Sequence, residues 1–517
     1  MRDNSPVRTF RGAWSVAGLV AGAAGLATSY FAAMALTIRE SPVVAVAELI
    51  IRTTPGAIAE YLISVVGRLD KPLLGLGILI VLAVVFAWAG RLAARTWWAP
   101  AVVYAALSAV GAVAVATQRA STATDQLPVA VGFVTWLVTL SLLTEPLRTA
   151  DLTVETAGDP EAGAHTRRVF AIRAGLLVAG AAVLGVAGQV VGRGRRHVEE
   201  LRNLLRLPQV TLPQVPVGAN LGIRGVSRWM TPADDFYLID TSFVKPAIDP
   251  EDWSLRIHGM VEKEITLTYR DLIHRQFTEA WITLNCVSNQ VGGELIGNAW
   301  WSGVRLAPIL AEAGVLAGAD AVLQTSESGW TCGTPLSALT DDRDAMLAVA
   351  MNGKPLPIDH GFPVRTIVPG LYGYVSATKW VVEMEVTKFS DITAYWTERG
   401  WGEQGPVKMS SRIDVPRSGE EVDAGTVTFG GVAWSQHTGI SGVEFSVDGG
   451  EWTAADLGAV PSEDCWVQWS GRADLEPGDH HVVVRAIDRE GTVQTSVVQD
   501  VLPDGATGLH ERDFSAG

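Results

Sequence analysis

Cys286 stands in a segment whose composition is unusual for a buried cysteine. The segment reads Ile282-Thr-Leu-Asn-Cys-Val-Ser-Asn-Gln-Val-Gly-Gly293, so amide and hydroxyl side chains surround the thiol and two glycines follow it. A lone cysteine usually behaves as a small, inert apolar residue in a core, but a core strand does not favour these loop-forming neighbours. A thiolate is also a soft ligand that suits redox-active metals. The residues alone leave both interpretations open: a buried apolar residue or a metal ligand.

A second block further along the chain carries a histidine, an arginine and a lysine among glycines and prolines. It contains His360-Gly-Phe-Pro-Val-Arg365 and then Ser376-Ala-Thr-Lys-Trp380. The planar guanidinium of an arginine can donate two hydrogen bonds at once and therefore suits a phosphate. The alternative is that Arg365 lies at the surface in a loop at a strand edge, which is the common fate of an arginine.

Together the two blocks resemble the sulfite oxidase family of molybdopterin-dependent oxidoreductases. The resemblance implies that Cys286 ligates molybdenum and that His360 and Arg365 contact the pterin cofactor and its phosphate. In that chemistry the metal cycles between oxidation states while an oxo group moves to or from the substrate, and the protein supplies orientation and electrostatics.

The resemblance extends to further cofactor contacts. Lys379 matches the family's Ser-x-Lys-Trp segment, but the interval from Arg365 to Lys379 is one residue longer than in the animal enzymes. The neighbouring contact therefore falls on Ser376, Ala377 or Thr378. The remaining implied contacts are Asp235, Phe236, Tyr237 and Ser326.

The chain departs from sulfite oxidases proper directly after the cysteine. Those enzymes continue with Gly/Ala-x-Asn-Arg-Arg, whose arginine helps to bind the anionic substrate, whereas this chain has Asn289-Gln290-Val291. A dianion in a partly buried pocket without such cations is poorly compensated. Sulfite is therefore disfavoured as the natural substrate, and a neutral sulfoxide or similar oxo-donor is expected equally well.

The composition indicates membrane spans attached to a globular part. The chain has 517 residues, which predicts two to four domains. Its mean hydropathy is +0.23, and 48% of its residues are hydrophobic while only 18% are charged. The net charge of −15 excludes nucleic acid as a partner, since nothing in it would neutralise phosphates. The three cysteines Cys286, Cys332 and Cys465 form neither a zinc pattern nor a disulfide framework.

Five charge-free stretches are long enough, or nearly so, to cross a bilayer core of about 30 Å as helices. They are residues 14–36, 73–90, 97–117, 126–144 and 174–192. Residues 43–66 are also apolar but contain Glu48, Arg52 and Glu60, and three charges in hydrocarbon cost several kcal/mol. We interpret this stretch as an interfacial or re-entrant helix pair, broken at Pro55-Gly56.

A short motif before the last span decides the orientation. Thr166-Arg-Arg-Val-Phe-Ala-Ile172 resembles a twin-arginine export signal, although a pair of cytoplasmic anchoring arginines is the alternative. A molybdopterin site is filled in the cytoplasm, and the twin-arginine machinery exports folded proteins. We therefore expect a multi-pass protein of the cell membrane, with everything after residue 192 on the extracytoplasmic side.

The soluble half divides into a mixed part and an all-β part. Residues 193–229 form a connector with a helix over 197–207, and residues 230–390 form the mixed α+β cofactor domain. In it we expect a hairpin over 253–267, helices over 269–274 and 306–313, and a turn at Asn352-Gly353. From 391 to 510, alternating strands over 426–434, 442–447, 480–487 and 494–501 predict an immunoglobulin-like sandwich, a domain that commonly mediates dimers in this family.

The sequence thus predicts a membrane-anchored molybdoenzyme with three parts: about five spans over 1–192, the cofactor domain and the sandwich. All nine histidines lie outside the charge-free stretches, so no haem is expected between the helices. The electron carrier is then a separate molecule in or near the membrane, and the other partners are lipid, a small-molecule substrate and a second copy. The alternatives are a catalytically inactive surface binding or assembly protein and, more weakly, a transporter.

Overall fold

The computed structural model describes residues 11–36, 38, 40–56, 58, 69–119, 121–157, 160–191 and 194–517. These residues form two units. One lies within residues 1–197 and includes 241–244, and the other comprises 198–240 and 245–517. The finer boundaries expected from the sequence, at 193, 230 and 391, stay predictions.

The first unit is helical. Its helices are α1 (Arg11–Ala35), α2 (Pro42–Thr53), α3 (Asp70–Ala93), α4 (Ala99–Ala116), α5 (Leu127–Ala157) and α6 (Pro160–Val191). Among the described residues, five helical segments are long and apolar enough to cross a membrane: Gly12–Ala35, Asp70–Ala93, Ala99–Ala116, Ala123–Thr149 and Arg168–Gln189. Each contains most of one predicted span.

Small residues let helix α1 approach its neighbours closely. A Cβ atom on Gly18 would lie 2.0 Å from the carbonyl oxygen of Phe86 in α3, so the two backbones pack without side chains between them. Next to this contact, the rings of Phe86, Tyr104 and Trp136 meet at centroid distances of 5.3 to 6.1 Å. The indole of Trp136 also donates to the carbonyl of Gly22 at 3.2 Å. Helix α1 is therefore the centre of this unit.

The stretch interpreted as a broken helix pair agrees with the structure in its first half. Helix α2 ends at Thr53, because the next residue, Thr54, precedes Pro55 and is therefore disfavoured in helical conformation; its backbone is extended. Glu48 is buried on this helix. Most of the predicted second half, residues 57 and 59–66, lies outside the described residues.

The second unit begins within helix α7 (Gly194–Leu204), after which Pro208, Pro213 and Pro216 accompany an extended segment, as predicted. Two sheets follow. One has the strand order β2-β1-β10-β5-β6, and the other has β3-β4-β7-β8 with β9 paired to β7. Their strands are β1 (Ser254–Gly259), β2 (Ile265–Thr268), β3 (Thr278–Asn285), β4 (Ile296–Arg305), β5 (Ala321–Ser326), β6 (Thr331–Pro335), β7 (Met346–Met351), β8 (Lys354–Pro355), β9 (Arg365–Ile367) and β10 (Val381–Thr387). The helices among them are α8 (Tyr269–Ile273), α9 (Leu306–Ala313), α10 (Leu336–Thr340) and α11 (Gly373–Ser376).

The β3-β4-β7-β8 sheet is buried on both faces. Leu347 and Val349 of β7 pack in one core with helix α9, while Met346 and Ala348 pack in another with Phe236. A strand between two cores needs apolar residues at every position rather than at alternate ones, and β7 is buried along its whole length. This double burial gives the end of β3, where Cys286 follows, a rigid support.

The remaining strands form two further sheets. They are β11 (Ser410–Val415), β12 (Glu421–Val422), β13 (Gly425–Trp434), β14 (Ile440–Val447), β15 (Thr453–Ala454), β16 (Asp456–Leu457), β17 (Val467–Leu475), β18 (Gly478–Asp488) and β19 (His510–Ala516). The orders are β11-β13-β17-β16 and β12-β19-β18-β14-β15. The two sheets share one core, in which Phe429 and Phe445 meet at 5.2 Å. The immunoglobulin-like classification of this sandwich stays a prediction.

The strand predicted over residues 494–501 is wrong. That segment is irregular, and β19 takes the place beside β18 instead. The alternation of apolar and polar residues wrongly predicted a strand here: Gln494 is the buried residue, while Val493, Val497 and Val498 are exposed. Gln494 donates to the carbonyl of Gly508 at 2.8 Å and accepts bonds from the Ser411 hydroxyl and the Ala486 N–H, so one side chain makes the bonds that a strand would make.

We expect Gln494→Leu to destabilise the sandwich by about 2–5 kcal/mol, because it leaves buried groups of Ser411, Ala486 and Gly508 without partners. The measurement is faster amide hydrogen exchange in β11 and β18 of the full chain. Gln499→Leu is the matched control, since Gln499 is exposed. Equal effects of the two substitutions would contradict the role given to Gln494.

Candidate active site

Cys286 is held by a short closed loop directly after β3. Its N–H donates to the carbonyl of Leu295 at 2.9 Å, and its own carbonyl accepts from the N–H of Asn289 at 3.0 Å. The side-chain oxygen of Asn289 accepts in turn from the N–H of Leu295 at 2.8 Å. The side-chain amide of Asn289, which looked out of place for a core strand, therefore closes the neck of the loop.

The thiol of Cys286 is buried, and its surroundings act on its pKa in two directions. Burial raises the pKa of the thiol, while the N–H groups of Ser288 and Val287 and the Ser288 hydroxyl lower it by donating toward the sulfur. Donors aimed at a sulfur favour the thiolate, which is the form that binds a metal.

Tyr237 and Tyr372 lie close enough to Cys286 for the charge of its thiolate to raise their pKa values. Burial raises the pKa of Tyr237 well above its usual value, the nearby Cys286 raises it further, and Arg365 opposes the shift. Burial also raises the pKa of Tyr372 to about 12. Both hydroxyls therefore keep their protons near neutral pH. Tyr237 was expected from the sequence. Tyr372 was not, although its place between Gly370 and Gly373 in the second block could have pointed to it.

Arg365 is the most unusual group in this part of the chain. Its guanidinium is buried and donates to the carbonyl of His360 at 3.1 Å and to that of Ala377 at 3.4 Å. Its Nε is buried with no hydrogen-bond partner, and no carboxylate forms an ion pair with it among the residues that the structure describes. The ring of Trp301 lies 5.2 Å away. Burial lowers the pKa of Arg365 to about 10, so the group is still a cation at neutral pH.

His360 lies beside this cation and is neutral. Its Nε2 is 2.9 Å from the carbonyl of Ala233, and because a carbonyl only accepts, Nε2 carries the proton. Burial, followed by the nearby charge of Arg365, lowers the pKa of His360 to about 4. The ring of Phe236 meets the imidazole edge to face at 5.7 Å, so this predicted aromatic residue supports the histidine.

Lys379 is the second buried cation. Its backbone pairs with that of Arg365, and its Nζ forms an ion pair with Asp240 at 2.9 Å. Burial lowers the pKa of Lys379 to about 8, and Asp240 opposes the shift. Sequence reasoning missed Asp240, because it follows the Phe236-Tyr237 motif at a spacing that carries no signal of its own.

Four predicted residues direct their side chains elsewhere. Asp235 is exposed. The hydroxyl of Ser326 meets that of Ser328 at 3.1 Å in the turn between β5 and β6. Ser376 donates to the carbonyls of Tyr372 and Leu371, which precede its helix, at 2.9 and 3.1 Å. The Thr378 hydroxyl lies 3.1 Å from the sulfur of Cys332. These hydroxyls support the framework, and their roles as cofactor contacts stay predictions.

The donor set fits an anionic cofactor that is ligated by a thiolate. A buried guanidinium without an acid is costly, and an anionic ligand would supply the missing charge and accept from its free Nε. Asn285, directly before the cysteine, also has a buried side-chain oxygen without a partner among the described residues. Cys286, His360, Arg365 and Lys379 thus bring together one soft ligand and several hydrogen-bond donors.

Known proteins resemble the part of the chain that contains these residues. Residues 242–396 match the model of the oxidoreductase molybdopterin binding domain. Mitochondrial sulfite oxidase of Homo sapiens is 29% identical over 305 residues, which are 50% of this chain and 56% of that protein. The chain therefore spans about half the length of the mammalian sulfite oxidases it matches. A solved structure that resembles this one is the sulfane dehydrogenase SoxCD from Paracoccus pantotrophus, with 23% identity and a TM-score of 0.48 over 62% of this chain and 92% of that one.

A shorter relative is matched over most of its length. The uncharacterised oxidoreductase YuiH of Bacillus subtilis is 32% identical over 178 residues, which are 34% of this chain and 86% of that protein. With the molybdopterin-domain match across Cys286, Arg365 and Lys379, this similarity shows that the chain belongs to the sulfite oxidase family of molybdopterin-dependent oxidoreductases.

Proposed function

We propose that this protein is a membrane-anchored molybdopterin-dependent oxidoreductase that transfers an oxygen atom to or from a small molecule. The observation that carries the proposal is the buried guanidinium of Arg365, which has no carboxylate partner among the described residues, in the domain that also buries the thiol of Cys286. Cys286 would ligate molybdenum, and Arg365, His360 and Lys379 would hold the pterin and its phosphate. When bound, the cofactor supplies a metal that changes oxidation state as the oxo group moves.

The protein's own groups have distinct tasks in this proposal. The neutral imidazole of His360 donates from Nε2, so its other nitrogen is left as an acceptor. Arg365 and Lys379 provide positive charge that burial keeps unscreened by water. Tyr237 and Tyr372, whose raised pKa values keep them protonated, can donate hydrogen bonds next to the cysteine.

The charge pattern after the cysteine favours a substrate that is not an anion. Gln290 donates to the carboxylate of Asp500 at 3.2 Å. Bonds from the Val501 N–H and from Gln290 lower the pKa of Asp500, so this carboxylate stays ionised. A carboxylate at this loop disfavours a dianion such as sulfite. We therefore propose a neutral sulfur oxide, for example a sulfoxide, as the substrate class.

The cellular setting is the second part of the proposal. Five long apolar helices support a multi-pass anchor. The Thr166–Ile172 motif lies in helix α6 and would direct export by the twin-arginine machinery, with the second unit outside the cytoplasm. A separate electron carrier in or near the membrane, the absence of haem, the immunoglobulin-like class of the sandwich and a homodimer complete this description as predictions. The alternative is an inactive binding protein, which has no need of a thiol at position 286.

We expect the purified protein to hold about one molybdenum per chain, as a single thiolate ligand requires. Cys286→Ser should lower turnover by more than about 100-fold, since even outer-shell changes at metal sites cost 10–100-fold. Metal analysis and steady-state turnover measure these effects. Cys465→Ser is the control, because that buried thiol donates to the carbonyl of Trp281 and contacts the Ser462 hydroxyl, away from Cys286. Active protein without metal would refute the assignment.

The same assay tests Arg365. We expect Arg365→Met to lower molybdenum content about tenfold or more, because it removes charge-assisted bonds to the anionic cofactor. The matched control is Arg275→Met, which removes a half-buried arginine paired with Glu312. Equal retention of metal in the two variants would contradict the role of Arg365.

For the substrate, we expect kcat/KM to be higher for a neutral sulfoxide than for sulfite. Gln290→Arg combined with Asp500→Asn introduces the missing cation and should raise kcat/KM for sulfite by about tenfold. Gln290→Leu with Asp500→Asn is the control that removes the acid without adding a cation. Efficient sulfite oxidation by the unmodified protein at micromolar concentrations would overturn this substrate assignment.

For the topology, we expect Arg167→Lys with Arg168→Lys to leave the second unit protected from protease added outside intact cells. The unmodified protein should be cleaved under the same conditions, because its second unit is exported. Arg173→Lys changes an arginine of the same helix outside the motif and should not alter cleavage. If protease still reaches the second unit of the double variant, the export proposal fails.

A further inference from the structure

An arginine of the sandwich binds the loop that carries Cys286. Arg412 lies on β11, and its side chain is only 6% exposed. Its guanidinium donates to the carbonyl of Gly293 at 2.8 Å, to the Ser227 hydroxyl at 2.7 Å and to the carboxylate of Asp414 at 2.7 Å. Asp414 also accepts from the N–H of Ser227 at 2.8 Å, so the guanidinium is oriented before it meets the loop.

Gly293 is connected to Cys286 by hydrogen bonds within the loop. Its N–H donates to the carbonyl of Gln290 at 2.8 Å, and two residues later Leu295 pairs with both Cys286 and Asn289. The loop therefore has a closed neck at Cys286 and Leu295, and Arg412 binds the strand that returns to this neck. A shift of the Gly293 carbonyl would pass to Cys286 through these bonds.

A second contact from the sandwich leaves no room for a side chain at Gly292 of the loop. Gly292 has a φ of +75°, and a Cβ atom there would lie 2.2 Å from the ring of His510. That ring is fixed because its Nδ1 accepts from the N–H of Ile413, the residue after Arg412, at 2.9 Å. The two neighbours in β11 thus act on adjacent loop residues, Arg412 directly and Ile413 through His510.

The strand that leads into the loop is held by the same domain. The N–H of Thr283 donates to the carbonyl of Asp464 at 2.9 Å, and its hydroxyl accepts from the N–H of Trp466 at 2.8 Å. Its carbonyl accepts from the side chain of Gln436. Sandwich residues therefore hold the chain on both sides of Cys286.

We propose that Arg412 is a positioning residue that fixes the direction of the Cys286 sulfur by binding Gly293. The inference rests on the proposed role of Cys286 as the metal ligand. Because thiolate direction affects the electronic state of a bound metal, the sandwich would tune the centre as well as support the fold. Lysine cannot replace this function, since one ammonium lacks the planar fork that reaches Gly293, Ser227 and Asp414 together.

The test compares Arg412→Met and Arg412→Lys with the unmodified full chain, purified with its cofactor in detergent. Loss of the charge-assisted bond should speed amide hydrogen exchange in residues 286–295 by roughly tenfold or more. The electron paramagnetic resonance spectrum of the Mo(V) state should change, and kcat per bound molybdenum should fall by roughly 10–100-fold with a smaller change in KM. The control is Arg485→Met, since Arg485 is a sandwich arginine paired with Glu444 that stacks on Trp452.

The outcomes separate the two levels of the proposal. Altered exchange and an altered Mo(V) spectrum in the Arg412 variants alone support the positioning role. An unchanged spectrum, or equal losses in the Arg485 control, overturns it while the molybdoenzyme assignment stands. If Arg412→Met does not fold, the spectrum and loop exchange of Arg412→Lys decide in the same way. If the unmodified protein binds no molybdenum, the proposed function itself fails.

Discussion

The buried charge of Arg365 is the constraint on which the cofactor domain depends. A guanidinium removed from water without a carboxylate is destabilising unless an anion joins it, so the fold without its ligand carries an electrostatic cost. The surrounding residues limit this cost without cancelling it. Two carbonyls accept from Arg365, Trp301 offers a ring face, and the neighbouring His360 stays neutral. Binding and folding of this domain are therefore thermodynamically linked, because a ligand that binds only the folded state stabilises it.

The two buried cations are compensated differently. Lys379 has Asp240 at 2.9 Å and so forms a pair that is complete within the protein. Among the described residues, Arg365 donates to two carbonyls and lies over the Trp301 ring, and it forms no ion pair with a carboxylate. Of two cations on paired backbone segments, Lys379 would therefore meet an anionic ligand with its charge already paired, whereas the charge of Arg365 would be compensated by the ligand itself. This asymmetry depends on the burial of both groups, since exposed cations would be screened equally by water.

Local signals were sufficient to predict several elements of the fold. Helix α9 was predicted with its observed ends because Gly314 follows it in the left-handed conformation, and the Asn352-Gly353 turn has the positive φ values that its residues favour. Charge-free length likewise indicated the five long helices. Non-local contacts were not predictable. The alternation of residues 494–501 is typical of a strand, but β19 pairs with β18 in its place. Nor could spacing tell that Ser376 and Thr378 turn their hydroxyls into the framework, because that direction follows from their partners in the fold.

The irregular segment that contains Gln494 has a consequence for how this protein can diversify. One inward side chain anchors the segment, and residues 495–500 around Val497 and Val498 are exposed. A strand in this place would tie every second residue to the core, whereas a single anchor leaves its neighbours free to accept substitutions. Asp500, which contacts the loop after Cys286, belongs to this unconstrained stretch. Substitutions in this exposed stretch are therefore expected to cost less stability than substitutions of the buried Arg365 and Lys379. The charge beside the cysteine loop can thus change without disturbing the buried cations.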